Sequence, residues 1–140
     1  MWSLVVGVVG LEMSASQVAA TLFSGRSTID QLVSRCATDV VFDDLCRSEP
    51  VVGRDALRDY LRQKWPQYAT RVVERITDGD TSAGCTWHRE DARNPGAVGL
   101  RGTLLVELND AGSVQYVCDG GEPRFKPGPA IEALLKAATA

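Results

Sequence analysis

The chain has 140 residues, 44% of them hydrophobic and 24% charged, with a formal net charge of −3 at pH 7. That balance describes one soluble globular domain, long enough to bury a core without covalent staples. The acidic charge excludes a nucleic-acid-binding face, which needs concentrated positive charge.

Trp2 to Leu11 is an apolar run of about ten residues, half of the ~20 that a membrane-spanning helix needs. No Lys or Arg precedes it and Glu12 follows at once, so neither a cleaved signal nor an organelle-targeting segment is expected. The run reads as a flexible or strand-like arm, or as an apolar arm that docks onto a partner. Residues 1–13 are therefore set apart from a single domain over residues 14–140.

Ser14 or Ser16 is placed to cap a first helix reaching about Ser24, with Val18, Leu22 and Phe23 on its apolar stripe. Gly25 ends it. Ser27 and Thr28 start a short second helix, with Asp30 and Gln31 at capping-box spacing. Ile29, Leu32, Val33 and Cys36 recur along it at helical spacing. Asp39 to Leu45 then alternates with period two, so Val40, Phe42 and Asp44 share one face and Val41, Asp43 and Leu45 the other. Pro50 breaks this strand.

Gly53 to Trp65 is predicted as a helix burying Ala56, Leu57, Tyr60, Leu61 and Trp65, and Pro66 stops it. Arg54, Asp55, Arg58, Asp59 and Arg62 make its other side a solvated, salt-bridged face. From Thr70 the pattern is a meander: Arg71–Thr77, a turn at Asp78-Gly79-Asp80, Ser82–Glu90, Leu100–Leu108, a turn at 109–112, and Ser113–Asp119. Gly120-Gly121 is expected to leave the sheet. Gly128-Pro129 opens a closing helix with Ile131, Leu134, Leu135 and Ala138 as its apolar side. The sum is an α+β domain: a curved antiparallel sheet wrapped around N-terminal helices as a cone-shaped roll, with a C-terminal helix. Such a cone leaves a cavity suited to a small apolar ligand.

Ala83 to Glu90 reads as the central strand and carries the chain's one histidine, His88. Alternation puts Trp87 on the opposite face. His88 is a candidate to pair with Asp44 or Asp119 as an acid–base couple, or else a satisfied sheet histidine. Asp44 is either a general base at the cavity mouth or a solvated strand-end carboxylate. Phe42, Trp65, Trp87 and Tyr116 either line a ligand pocket or form plain core. The four cysteines, Cys36, Cys46, Cys85 and Cys118, show no Cys-x-x-Cys pair and are expected to be buried, reduced thiols. No cofactor loop or metal-ligand spacing is visible, so no cofactor and no metal is expected.

Asp39-Val40-Val41-Phe42-Asp43-Asp44 followed by Gly53-Arg54-Asp55-Ala56-Leu57 resembles the SnoaL-like branch of the nuclear-transport-factor-like, or cystatin-like, cone fold. Thr86-Trp87-His88-Arg89-Glu90, Arg101-Gly102 and Glu122-Pro123-Arg124-Phe125-Lys126-Pro127-Gly128 resemble plastid SnoaL-like proteins of plants and algae. The resemblance implies an accessory role in a plastid assembly, or a ligand-binding role, and in SnoaL-like cyclases an acidic residue stands where Asp119 ends the last strand. The stretch from Asp43 to Gly53 also resembles the segment of ketosteroid isomerase that holds its catalytic aspartate, which falls on Asp44. That enzyme's two oxyanion donors fall near Ala20 and Leu104, which cannot donate, and steroid isomerisation is not expected.

Two classes of function follow from these residues. One is a non-catalytic module, an apolar-ligand binder or accessory subunit, with a protein partner or second copy at the sheet face or residues 2–11. The other is a small acid–base enzyme, an isomerase, cyclase or hydrolase, using Asp44, His88 and Asp119 on a hydrophobic substrate.

Overall fold

A computed structural model describes residues 12–91, 93–123 and 128–140. The apolar arm at Trp2–Leu11 lies outside the described residues, as do Arg124 to Pro127. The order of elements is α1 (Ala15–Leu22), α2 (Ile29–Ser34), β1 (Cys36–Asp44), β2 (Val51–Val52), α3 (Arg54–Tyr68), β3 (Arg71–Ile76), β4 (Ser82–Glu90), β5 (Val98–Leu108), β6 (Val114–Gly121) and α4 (Pro129–Ala138). The strands form one curved sheet in the order β2-β1-β6-β5-β4-β3, giving the expected α+β class.

Capping starts both short helices as the sequence suggests. Ser14 accepts from the Gln17 backbone and Gln17 returns the bond; Thr28 and Gln31 do the same. The N-terminus of α1 is tied to the β3–β4 hairpin. Ala15 N–H donates to Asp80 O at 2.7 Å, Ser16 N–H to Gly79 O at 3.1 Å, and Gly79 N–H to Ser16 Oγ at 2.8 Å. Orphan donors of the helix start are thus satisfied by turn carbonyls.

The sheet departs from the expected meander in two ways. β3 to β6 form an antiparallel meander, but β1 adds to it in parallel, with Phe42 opposite Val117 and Asp44 opposite Asp119. β4 is therefore flanked by the edge strand β3 rather than central. Gly120 and Gly121 also stay in β6, paired with Thr103 and Gly102. They remain because a side chain at Gly102 is impossible: a Cβ there would sit 2.2 Å from Trp87 Cζ2 and 2.4 Å from Gly120 O. The close backbone approach holds the two strands together to their ends.

Two further expectations are corrected. Cys36 is the first residue of β1 rather than the last of α2; its carbonyl accepts from Arg54 Nε at 2.7 Å, so Arg54 is not part of the solvated face. Pro66 does not end α3, which runs on to Tyr68. Proline removes only the bond to the carbonyl of the exposed Arg62, one turn from the end, a loss that the helix tolerates there. Ala56 faces solvent, while Leu57, Tyr60, Leu61 and Tyr68 are buried and Trp65 is half-buried. The rest of that face behaves as read: Arg58 pairs with Asp55 at 3.3 Å and Arg62 with Asp59 at 3.4 Å.

The core lies between α1–α3 and the inner face of the sheet. Phe23, Leu32, Val40, Phe42, Leu57, Leu61, Val106 and Val117 are all at most 1% exposed. Burying each such side chain contributes about 1.5–3 kcal/mol. α4 buries none of its side chains, and Leu134 and Leu135 of its apolar side are exposed. No described helix is long and apolar enough to cross a membrane.

Candidate functional site

α3 crosses the open end of the inner sheet face, and a cavity of about 330 Å³ lies between them. One wall comes from successive turns of α3: Tyr60, Lys64, Gln67 and Tyr68. Residues four apart share a helix face, so the 60–64–68 spacing aims all three side chains at the sheet. The facing wall is Asp44 from β1, Arg71 from β3, Trp87 and Arg89 from β4, Leu100 from β5, and Asp119 and Gly121 from β6. Cys46, Glu122 and Pro123 stand at the rim.

Asp119 is the polar anchor. It is 4% exposed, and its carboxylate takes a two-pronged bond from Arg71, 3.1 Å from Nη1 and 2.7 Å from Nη2. Tyr68 O–H adds a third bond at 2.8 Å. A buried charge needs this paired, bonded setting. The Arg71 guanidinium also lies over two ring faces, 3.7 Å from the Trp87 centroid and 4.0 Å from that of Tyr68. Trp65 stacks on Tyr68 with centroids 6.1 Å apart. Two N–H groups in this stack, Arg71 Nε and Trp87 Nε1, are buried without a hydrogen-bond partner among the described residues.

Asp44 neighbours Asp119 across the parallel β1–β6 register. Its two oxygens are also taken: Tyr60 O–H donates at 2.5 Å to Oδ2, and the Cys46 N–H at 2.9 Å to Oδ1. Burial, then the hydrogen bond and charge of Asp44, push the Tyr60 phenol well above its ordinary pKa. Burial, then the charge of Asp119, raises that of Tyr68. Both hydroxyls stay protonated donors across the physiological range.

The cavity gathers some of the residues singled out from sequence and not others. Asp44, Asp119 and Trp87 line it. His88 does not join them, because alternation places it on the outer face, where its Nδ1 hydrogen-bonds Glu74. Tyr116 is likewise on the outer face, its hydroxyl 3.3 Å from Asp43 Oδ2. Phe42 is fully buried core, and Trp65 backs Tyr68 from outside the cavity. Ala20 and Leu104, where oxyanion donors would fall, are not among the lining residues. Tyr60, Lys64, Tyr68, Arg71 and Arg89 were not anticipated as site residues; the four-residue spacing of the first three was the available signal. Among the described residues no His, Cys, Asp or Glu cluster could hold a metal ion. All four cysteines are free; Cys36 and Cys85 are buried as expected, Cys118 is half-buried and Cys46 is exposed. Burial pushes the Cys36 thiol up to about 12 and the Cys85 thiol to about 11.

Residues 19–116, which build most of this architecture, match the SnoaL-like domain family. No curated protein matches the chain. Among solved structures, an uncharacterised bacterial protein with a cystatin-like fold from Silicibacter pomeroyi DSS-3 is 18% identical, with a TM-score of 0.64 over 93% of this chain and 87% of that one. A candidate ketosteroid isomerase from Kribbella flavida DSM 17836 is 26% identical, with a TM-score of 0.56 over 83% of this chain and 81% of that one. Rv0760c from Mycobacterium tuberculosis, crystallised in complex with estradiol-17β-hemisuccinate, is 16% identical, with a TM-score of 0.54 over 76% and 93%. With its helices, parallel-joined sheet and cavity all inside or beside the matched segment, the chain belongs to the SnoaL-like family.

Proposed function

We propose that this chain is a non-catalytic binding module that takes a small, ring-bearing apolar ligand in the cavity under α3. The observation that carries the reading is the pairing of both cavity carboxylates. Asp119 is closed off by Arg71 and Tyr68, and each oxygen of Asp44 already accepts a hydrogen bond. These bonds leave each Asp44 oxygen a second lone pair, but they fix the carboxylate against the wall, and Asp119 is covered by its partners. Here the carboxylates hold the walls in place, and the aromatic faces of Tyr60, Tyr68 and Trp87 offer the contact surface. The volume lies at the small end of the range for small-molecule sites. A steroid ester bound to the similar fold of Rv0760c supports this class of ligand.

Titration with estradiol and 2-naphthol, followed by tryptophan fluorescence, tests it. Saturable binding that Leu100→Trp abolishes without lowering the melting temperature is expected. No saturable signal from either probe, or binding indifferent to Leu100→Trp, overturns the reading.

The position of Asp44 on the cavity wall favours a second reading, a small acid–base enzyme acting on a hydrophobic ketone. In it, Asp44 exchanges its bond from Tyr60 for the substrate's α-proton. Asp44-dependent deuterium exchange into a bound ring ketone, absent in Asp44→Asn, is its signature. The accessory role in a plastid assembly is carried by the Thr86–Glu90 and Glu122–Gly128 motifs alone. Localisation of the protein to plastids as a fluorescent fusion, with co-purification of a larger complex, tests that part.

A further inference from the structure

We infer that the ligand of this cavity carries one carboxylate at the end of its apolar body, held at the rim by Lys64 and Arg89. The inference rests on the binding-module reading and follows from counting which polar groups of the site are already used. The carboxylates are engaged by the protein's own donors: Asp119 by Arg71 and Tyr68, and Asp44 by Tyr60 and the Cys46 amide. Glu122 is bound to Arg101, outside the cavity, through its side chain at 3.3 Å and through the Arg101 amide at 3.0 Å. Two cations of the rim are less engaged. Lys64 is half-buried on the cavity face of α3, and among the described residues its ammonium makes no hydrogen bond or ion pair. Arg89, two residues beyond Trp87 and also lining the cavity, uses among the described residues only Nε, toward Thr70 Oγ1 at 3.2 Å.

The surplus is therefore of cationic donors, on both walls of one mouth. Asp44 keeps its charge, because its donors, the Tyr60 hydroxyl and the Cys46 amide, are neutral, but one carboxylate offsets only one of the two cations. A ligand that completes the site supplies acceptors and negative charge, with its ring body inward against Trp87. Lys64 suits a single anionic group, because it presents a compact ammonium on a flexible apolar stem. A carboxylate at the rim stays partly hydrated, so only its bonded side is desolvated.

The test uses matched probes on the purified chain: 2-naphthoate and its methyl ester, titrated by calorimetry at low and high salt. The acid is expected to bind about tenfold more tightly than the ester at low salt, the scale of one charge-assisted contact. Added salt narrows that gap. Lys64→Gln combined with Arg89→Gln reduces the preference to about twofold or less while ester binding is kept, and Lys64→Arg retains it. Arg62→Gln removes an equal charge from the solvent side of α3 and leaves the ratio unchanged. Equal affinity for acid and ester in the wild type, or a loss of preference in Arg62→Gln matching that in the double variant, overturns the inference while the binding reading stands. Failure of both probes to bind overturns the binding reading itself.

Discussion

Arg71 touches more of the site than any other side chain described. It neutralises Asp119, covers the rings of Trp87 and Tyr68, and is 7% exposed at its side chain. Removing one partner of such a pair leaves a buried charge without compensation, so Asp119→Ala is expected to lower stability by about 3–5 kcal/mol. Replacing both partners, as Asp119→Leu with Arg71→Met, removes both desolvation costs and is expected to restore most of that loss. Urea denaturation of the two variants measures the difference. A double variant no more stable than Asp119→Ala contradicts the charge-pair account. Asp44 was legible in the sequence because alternation along β1 fixes its face, whereas Asp119 was singled out by the resemblance to SnoaL-like cyclases. Arg71 was not: a basic residue opening an edge strand looks solvated until its partner, 48 positions later, is seen beside it. His88 was legible in its face and misleading in its role, since a lone histidine attracts attention whichever way it points.

At the scale of elements, the β4–β5–β6 contact depends on an absent side chain. Gly102 lets the Trp87 indole lie against backbone, and no rotamer change relieves a Cβ placed 2.4 Å from the Gly120 carbonyl. Gly102→Ala is expected to cost about 1–3 kcal/mol, or more, and to release Trp87 from its packing. Thermal melts read the first effect, and a red shift with greater quenching of tryptophan emission reads the second. An unshifted melt would mean that β5 and β6 separate freely at this point. Elements set by local chemistry were readable from sequence, as with the Ser14–Gln17 and Thr28–Gln31 caps. What escaped was tertiary in origin. α3 continues past Pro66 because Tyr68 is held by Asp119, and β2 has only two residues, too few for any period to show. α4 has an apolar side in sequence that the described structure leaves uncovered.

Over the whole molecule, the two cavity tyrosines give stability a defined alkaline limit. Both phenols are raised above their ordinary values, chiefly by burial and then by the carboxylates they serve. Below the unfolded tyrosine pKa of ~10, both states hold these protons and stability is full. Above it the unfolded chain releases protons that the folded chain keeps, so stability falls as pH rises. The two groups together give a slope approaching ~2.7 kcal/mol per pH unit, at 1.36 for each. Tyr68→Phe is expected to remove its share, up to ~1.36 kcal/mol per pH unit, from a slope to which the raised Cys36 and Cys85 thiols also add; denaturation midpoints between pH 9 and about 12 provide the check. A slope identical in Tyr68→Phe would assign the alkaline limit to other groups. The fold class was readable because helices and strands segregate along the chain, whereas the order of strands was not.

The parallel joint between β1 and β6 also has a consequence in time. Its partners are separated along the chain by all of α3 and the β3–β5 meander, so it closes the longest loop in the sheet. The hairpins of the meander close short loops and form first, at lower entropic cost. Asp44 and Asp119, on the two sides of that joint, meet only when it closes. The cavity that both carboxylates line is therefore expected to be completed late in folding. A ligand bound as proposed would touch both sides of that seam and oppose its opening.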